Sequence, residues 1–182
     1  EARISPMDRG FLFGEGIYEV IPSYNGQLVG FGPHLARMQY GLDAIEIQLQ
    51  LDRNQWRDIA AQLIARNGGG NLGLYFQISR GADTKRQHTY PTNISPTIFA
   101  FAYEIPALPS ADKRTAKPYK VATAEDLRWQ RCNIKSTSLL GNIMHYQQGH
   151  TDGHDETVLY NHRHELTEAA SCNVYVIKNG IV

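Results

Sequence analysis

The stretch GEGIYEVI at residues 14–21, followed by Asn25-Gly26 and by QLVGF at residues 27–31, decides the fold of the first part of the chain. Residues 17–21 are rich in β-branched and aromatic side chains, which is typical of a strand. Asn-Gly is the dipeptide that tight hairpin turns prefer, because both of its residues tolerate positive φ. We therefore predict a β-hairpin here. The glycine pair at 14 and 16 is not a dinucleotide-binding fingerprint, because a strand rather than a helix follows it.

Helices and further strands are predicted after this hairpin. Pro33 suits the first turn of a helix, and apolar residues at helical spacing continue to Leu42. Asp52 is a candidate N-cap for a second helix, which extends to Arg66 and ends before three glycines. Two strand-like runs follow, Leu72–Ser79 and Thr97–Tyr103. The loop between them is long and polar, and such loops often carry function.

A segment that holds three of the eight prolines, Ile105–Pro118, is interpreted as an interdomain linker. We therefore expect a small N-terminal α/β domain at residues 1–105, a linker at 106–118, and the start of a larger C-terminal domain at 119–182. The last part is predicted to contain a strand at Tyr119–Thr123, a helix at Ser138–Gln148, and strands at Thr157–Asn161 and Asn173–Ile177. This mixture indicates a two-domain α+β, or mixed α/β, protein.

Both ends of the chain suggest that it is incomplete. The sequence begins with Glu1-Ala2-Arg3 rather than with Met. Asn179-Gly180 predicts a hairpin turn, but only two residues of a return strand follow it. We expect further sequence before and after these residues.

Composition argues against several classes of protein. Eighteen basic residues balance eighteen acidic ones, so the chain offers no basic stripe for nucleic acid. Two cysteines are too few for a disulfide framework, and no apolar run approaches the length of a membrane span. Five of the seven histidines fall between 145 and 164, but without the ligand spacing of a zinc site. We expect a cytoplasmic protein with no metal, nucleic-acid or membrane partner.

Lys135 is the first candidate for chemistry. It lies in RCNIKS at residues 131–136, next to the predicted helix and in a segment with few other charges. Partial removal from water favours the uncharged amine that Schiff-base chemistry requires. An ordinary surface lysine is the alternative, and the spacing alone favours it.

Three further positions carry charged side chains that could bind a ligand. Glu168 stands beside small residues that leave room for a flat ligand, although a capping role also explains it. Arg37, on the first predicted helix, either binds a phosphate or forms a surface ion pair. Arg86 and His88 are two residues apart on the long loop, so in an extended backbone they point the same way, as a carboxylate clamp requires. A solvated polar loop is the alternative.

Together these segments resemble the class IV, or fold-type IV, pyridoxal-phosphate enzymes, and most closely the D-amino-acid transaminases among them. The resemblance covers nearly the whole chain, and it is specific because the segments occur together and in order. They are Asp8–Gly10, Phe13–Glu19, Pro33–Met38, Tyr75–Gly81, Arg128–Ser136, Leu139–Asn142 and Leu166–Val174.

The resemblance implies pyridoxal 5'-phosphate as the cofactor and a role for four residues around it. Lys135 holds the cofactor as an internal aldimine and then moves the α-proton of the substrate. Glu168 pairs with the pyridine nitrogen, and Arg37 binds the phosphate. Ser171 lies near the cofactor ring.

The resemblance also implies a substrate site and a homodimer. Tyr18, Arg86 and His88 form the trap for the substrate α-carboxylate, and Tyr75 matches a position in the substrate pocket. In this family the loop with the arginine and the histidine comes from the neighbouring subunit, so the active site is shared.

The implied reaction is transamination between a D-amino acid, such as D-alanine, and a 2-oxo acid, such as 2-oxoglutarate. A branched-chain L-amino-acid aminotransferase or an aminodeoxychorismate lyase of the same fold is the first alternative, and an inactive fragment is the second. The sequence departs from the family in the residues before Arg86, where the loop is about one residue longer than expected, and at Ala169, where glycine is expected.

Overall fold

The computed structural model describes residues 2–182, and the chain divides into two compact units. The first unit extends to Pro109 and includes the later segment Asn133–Ser138. The second consists of Ser110–Cys132 and Leu139–Val182. Each unit contains its own sheet.

The first unit is an antiparallel sheet with three helices. Its elements are α1 (Arg9–Phe13), β1 (Gly16–Tyr24), β2 (Gln27–Leu28), α2 (Phe31–Ala44), α3 (Arg53–Arg66), β3 (Asn71–Ser79) and β4 (Thr97–Glu104). The strands lie in the order β2-β1-β3-β4, and each neighbouring pair is antiparallel.

The two faces of β1 have different environments, because successive side chains of a strand point to opposite sides. Ile17 and Ile21 are fully buried and pack with Phe76 and with apolar residues of α2 and α3. Tyr18 and Val20, on the other face, are only half-buried. The core of this unit therefore lies between the sheet and its helices, and the opposite face remains partly open.

Helix α3 begins where the sequence predicts it, directly after the N-cap residue Asp52. The side chain of Asp52 accepts hydrogen bonds from the backbone N–H groups of Asn54 and Gln55, and the Gln55 side chain accepts one from the Asp52 backbone. This reciprocal capping box fixes the start of the helix and typically stabilises it by about 1 kcal/mol.

The segment Asn133–Ser138 lies beside the first residues of β1. The N–H of Tyr18 donates to the carbonyl of Lys135 at 3.0 Å, and the N–H of Thr137 donates to the carbonyl of Gly16 at 2.9 Å. An antiparallel bridge joins Ile17 to Ser136 between them. Main-chain bonds therefore fix position 135 against the sheet.

The second unit is built on a three-stranded sheet. Its elements are a 3₁₀ turn (Lys113–Thr115), β5 (Val121–Glu125), α4 (Leu140–Thr151), β6 (Glu156–Tyr160) and β7 (Leu166–Ala169). Strand β6 pairs in parallel with β5 and antiparallel with β7. Helix α4 packs on β6 closely at Gly149, where a Cβ atom would lie 2.2 Å from the Thr157 hydroxyl oxygen.

The mixed α/β class is confirmed, and two element predictions need correction. The hairpin forms at Asn25-Gly26, but its return strand is only β2, because Phe31 already begins α2. The predicted strand at Asn173–Ile177 is wrong, since these residues form no ladder, although Lys178 and Ile181 form a bridge around the turn that follows. Helix α1 and strand β7 were not predicted. Within residues 2–182 no helix is long and apolar enough to cross a membrane.

Candidate active site

Lys135 lies next to Tyr18 in the first unit. Its Nζ atom donates a hydrogen bond to the Tyr18 hydroxyl oxygen at 3.2 Å and lies 4.3 Å from the centre of the tyrosine ring. Lys135 is half-buried and belongs to none of the ion pairs found among residues 2–182. An amine without a carboxylate partner retains the capacity to act as a nucleophile and as a base.

Tyr18 continues into a row of aromatic rings on the open face of the sheet. The rings of Tyr18 and Tyr75 stack with 5.6 Å between their centres, and Tyr75 lies 4.8 Å from Phe101. The Tyr75 hydroxyl donates to Gln77 at 2.7 Å, and burial together with the nearby Tyr18 raises the pKa of Tyr75. The predicted residues Lys135, Tyr18 and Tyr75 are thus close together, with the lysine amine at one end of the row of rings.

Arg37 lies on α2 and grips a buried carboxylate. Its Nε and Nη2 atoms donate to the two oxygens of Glu19 at 2.5 and 2.8 Å, and His34 contacts the same carboxylate at 2.8 Å. The hydrogen bond to Glu19 raises the pKa of Arg37, although burial opposes this shift. The Glu19 side chain is 1% exposed, whereas that of Arg37 is 48% exposed. Glu19 therefore orients a guanidinium that keeps donor capacity toward solvent.

Arg86 and His88 lie on the loop between β3 and β4 and share one contact. The guanidinium carbon of Arg86 lies 5.1 Å from the centre of the Phe13 ring, and the His88 ring meets the same ring edge-on at 5.6 Å. Both residues are exposed, and no hydrogen bond among residues 2–182 joins either to Tyr18. The two side chains therefore lie on the same side of the loop, against the Phe13 ring.

The base of this loop is held by a charged cluster that sequence analysis missed. Glu15 accepts a hydrogen bond from Arg9 Nε at 2.5 Å and another from Arg80 Nε. Arg80 also donates to the carbonyls of Ile45 and Glu46 and lies under the Tyr90 ring. No local pattern reveals this cluster, because Glu15 and Arg80 are far apart in the sequence.

Glu168 lies on β7 in the second unit, in a chain of charges. Arg128 Nη1 donates to one Glu168 oxygen at 2.5 Å, while its Nε and Nη2 atoms donate to Asp126 at 2.9 and 2.8 Å. Hydrogen bonds from Arg128 hold the pKa of Asp126 well below its usual range, and the bond to Asp126 raises the pKa of Arg128. The Glu168 side chain is 43% exposed, so its second oxygen remains accessible. Sequence analysis included Arg128 only as part of a motif.

Ser171 also lies in the second unit and contacts a buried acid. Its hydroxyl donates to Glu156, whose other carboxylate oxygen accepts from the Thr157 N–H at 2.8 Å. Burial raises the pKa of the neighbouring Cys172, and a hydrogen bond with Glu156 adds to the effect. Both cysteines of the chain are free thiols.

A family model described as amino-transferase class IV matches residues 16–182. The chain belongs to the class IV aminotransferases, which depend on pyridoxal phosphate. It is similar to a D-alanine aminotransferase from Staphylococcus haemolyticus, with 37% identity over all of this chain and 63% of the relative. It is 32% identical to a D-alanine aminotransferase from Listeria monocytogenes, again over all of this chain and 62% of the relative. The chain thus spans somewhat less than two thirds of these relatives.

Solved structures show the same fold at low identity. A branched-chain amino acid aminotransferase from Escherichia coli matches with a TM-score of 0.81 and 15% identity over 98% of this chain and 60% of that one. A 4-amino-4-deoxychorismate lyase from Pseudomonas aeruginosa matches with a TM-score of 0.77 and 21% identity over 99% and 65% of the two chains. These likenesses establish fold-type IV.

Each unit, considered by itself, carries polar groups of the kinds that bind parts of pyridoxal phosphate. Lys135 offers an amine that has no ion pair among residues 2–182, and Arg37 uses only two of its nitrogens on Glu19. In the other unit, Arg128 occupies one oxygen of Glu168 and leaves the second for a cation or an N–H donor. An amine for the aldehyde, a guanidinium for the phosphate and a carboxylate for the ring nitrogen are the chemistry that this cofactor requires.

Proposed function

We propose that the protein to which this chain belongs transfers the amino group of a D-amino acid, such as D-alanine, to a 2-oxo acid, such as 2-oxoglutarate. The observation that carries the proposal is the Lys135 amine, held 3.2 Å from the Tyr18 hydroxyl and without an ion-pair partner among residues 2–182. Membership of the aminotransferase family and the D-alanine aminotransferases among the relatives support the reaction class and the D-configuration.

In this proposal Lys135 binds the cofactor aldehyde, Arg37 its phosphate and Glu168 its ring nitrogen, with Ser171 near the ring. When bound, pyridoxal phosphate supplies a carbonyl that takes up the amino group and a ring that accepts the electrons of the broken Cα–H bond. The carboxylate of Glu168 keeps the ring nitrogen protonated, and Arg128 fixes the orientation of that carboxylate. Arg37, braced by Glu19, supplies a fixed positive charge for a dianion.

Lys135 has a second task once the substrate amine has displaced it. Its Nζ atom would then take the proton from the substrate Cα and deliver it to the cofactor carbon that carried the aldehyde, so that the amino group stays with the cofactor; with the 2-oxo acid the same proton transfer would run in reverse. The Tyr18 hydroxyl accepts a hydrogen bond from the amine and so limits its position. Because the amine is already in place, proton transfer needs no further encounter.

Substrate orientation is assigned to Tyr18, Tyr75, Arg86 and His88. Arg86 and His88 point to the same side of their loop, which suits a clamp on one carboxylate. In the proposed homodimer this pair serves the site of the neighbouring subunit. The carboxylate grip decides which face of the substrate meets Lys135, and hence the D or L configuration. We also propose that the protein acts in the cytoplasm, as expected from the sequence.

Assays with D-alanine and L-alanine, each with 2-oxoglutarate, test this function on the full-length protein. We expect pyruvate formation with D-alanine and a rate at least about a hundredfold lower with L-alanine, since a misplaced α-hydrogen costs transition-state contacts. Preference for branched-chain L-amino acids would assign the protein to another activity of this fold. Release of pyruvate and an aromatic amine from aminodeoxychorismate would identify a lyase, and no turnover of any of these compounds would indicate an inactive protein.

A further inference from the structure

The loop between β3 and β4 is mostly exposed, yet a buried arginine reaches into its middle. The Arg9 side chain is 3% exposed. Its Nε atom donates to Glu15 at 2.5 Å, and its Nη1 atom donates to the backbone carbonyl of Gln87 at 2.6 Å. The Arg9 guanidinium therefore connects the interior of the unit to the loop backbone at Gln87.

That point lies between the two residues of the proposed clamp. Gln87 separates Arg86 from His88, and both neighbours contact the ring of Phe13. The guanidinium carbon of Arg9 lies 4.8 Å from the centre of the same ring. Arg9 thus fixes the backbone between the two clamp residues and supports the ring on which their side chains lie.

We infer that Arg9 is the positioning residue that holds Arg86 and His88 in the geometry required to grip the substrate carboxylate. The inference rests on the proposed function, because it assigns Arg9 a task in the substrate clamp. Arg9 itself is buried and hydrogen-bonded within its unit, so it acts through the loop and not on the substrate.

The physical reason is the entropy of an exposed loop. Fixing the backbone of a residue costs conformational entropy, and a clamp that becomes ordered only when substrate arrives loses that free energy from its binding. The charged hydrogen bond from Arg9 to the Gln87 carbonyl holds this part of the loop in place before substrate binds. Glu15 neutralises the buried charge that this donor needs, and it is itself held from the other side by Arg80.

A double-mutant cycle on the full-length enzyme tests this role. Arg9→Lys keeps the charge beside Glu15 but removes the forked geometry that reaches Glu15 and Gln87 together. We expect the KM for 2-oxoglutarate to rise about tenfold, with kcat and the Kd for pyridoxal phosphate changed by less than about twofold. Arg86→Ala is expected to raise the same KM at least as much. In Arg9→Lys/Arg86→Ala, the effect of the lysine should be smaller than in the single variant, because only His88 then remains to be positioned.

Each outcome decides the question. If the two KM effects multiply in the double variant, Arg9 acts independently of the clamp and the inference is overturned, while the proposed function stands. If Arg86→Ala leaves KM unchanged, the clamp assignment fails and the inference fails with it. Should Arg9→Lys not fold, Glu15→Gln, which keeps Arg9 but removes the carboxylate charge that orients it, takes its place in the cycle with the same expected reduction of effect.

Discussion

The Nζ atom of Lys135 lies 3.2 Å from the Tyr18 hydroxyl, and the carbonyl of the same lysine accepts a hydrogen bond from the Tyr18 N–H at 3.0 Å. The two residues are therefore joined both by their side chains and by their main chains. Removing either side chain leaves the backbone bond in place. Substitutions at these positions consequently test chemistry more than folding.

Lys135→Ala is expected to abolish covalent capture of the cofactor and to lower kcat about a thousandfold or more, because the amine is both nucleophile and base. Borohydride reduction followed by intact mass measurement detects the trapped cofactor in the parent protein. Lys120→Ala, which changes an exposed lysine of the second unit, is the control and should behave as the parent does. Undiminished trapping in Lys135→Ala would remove this lysine from the site.

Tyr18→Phe is expected to lower kcat by about tenfold to a hundredfold while the cofactor still binds, because it removes the hydrogen bond that limits the position of the lysine amine. Steady-state kinetics with D-alanine, together with a cofactor titration, measure both quantities. Tyr24→Phe, at the far end of the same strand and outside the proposed site, is the control, and a much smaller loss is expected. Equal losses in the two variants would show that the contact with Lys135 has no special part.

Arg37→Gln is expected to raise the Kd for pyridoxal phosphate about tenfold or more, since charge-assisted bonds to a phosphate are lost. The KM for D-alanine should change little at saturating cofactor. Arg57→Gln, on the exposed side of α3, provides a matched control for the loss of one positive charge. The Tm of each variant shows whether loss of the Arg37–Glu19 ion pair has destabilised the fold. An unchanged Kd for pyridoxal phosphate in a folded Arg37→Gln protein would contradict the assignment.

Asp126→Asn is expected to lower Tm at neutral pH, and this loss should shrink below about pH 4. The Arg128 guanidinium depresses the pKa of folded Asp126, so this carboxylate stabilises the protein above the pKa of the unfolded chain. That contribution disappears as pH falls through the lower folded value. Melting curves of parent and variant between pH 7 and pH 3 measure the difference. A Tm difference that stays constant down to pH 3 would show that ionised Asp126 is not its source.

Sequence analysis succeeded where the signal was local. The Asp52 cap, the Asn25-Gly26 turn and the apolar periodicity of α2 each specify structure through residues a few positions apart. It failed at Asn173–Ile177, whose strand propensity meets no pairing partner in the described part of the second unit. Propensity describes a side chain on a pleated surface, but the ladder needs a neighbour that propensity does not supply.

The candidate site shows the same division. The motifs led to Lys135, Tyr18 and Tyr75, which the structure places together. The acids that orient Arg37 and Arg80 were missed, because buried Glu19 and half-buried Glu15 find these partners on other elements. No spacing rule connects a carboxylate on one strand with a guanidinium on a distant element, so such support becomes visible only in three dimensions.

The ion pairs of Glu15 define two positions at which the loop between β3 and β4 is anchored, and these positions matter for loop exchange between enzymes. Through Arg9 and Arg80 the Glu15 carboxylate holds the loop at Gln87 and, by the Arg80–Tyr90 contact, at one place further along. Grafts that exchange whole loops between enzymes of different substrate preference should keep these two attachment points and vary the sequence outside them. A transplanted loop that lacks a match for either point would be unanchored in its new host, however well its own side chains suit the new substrate.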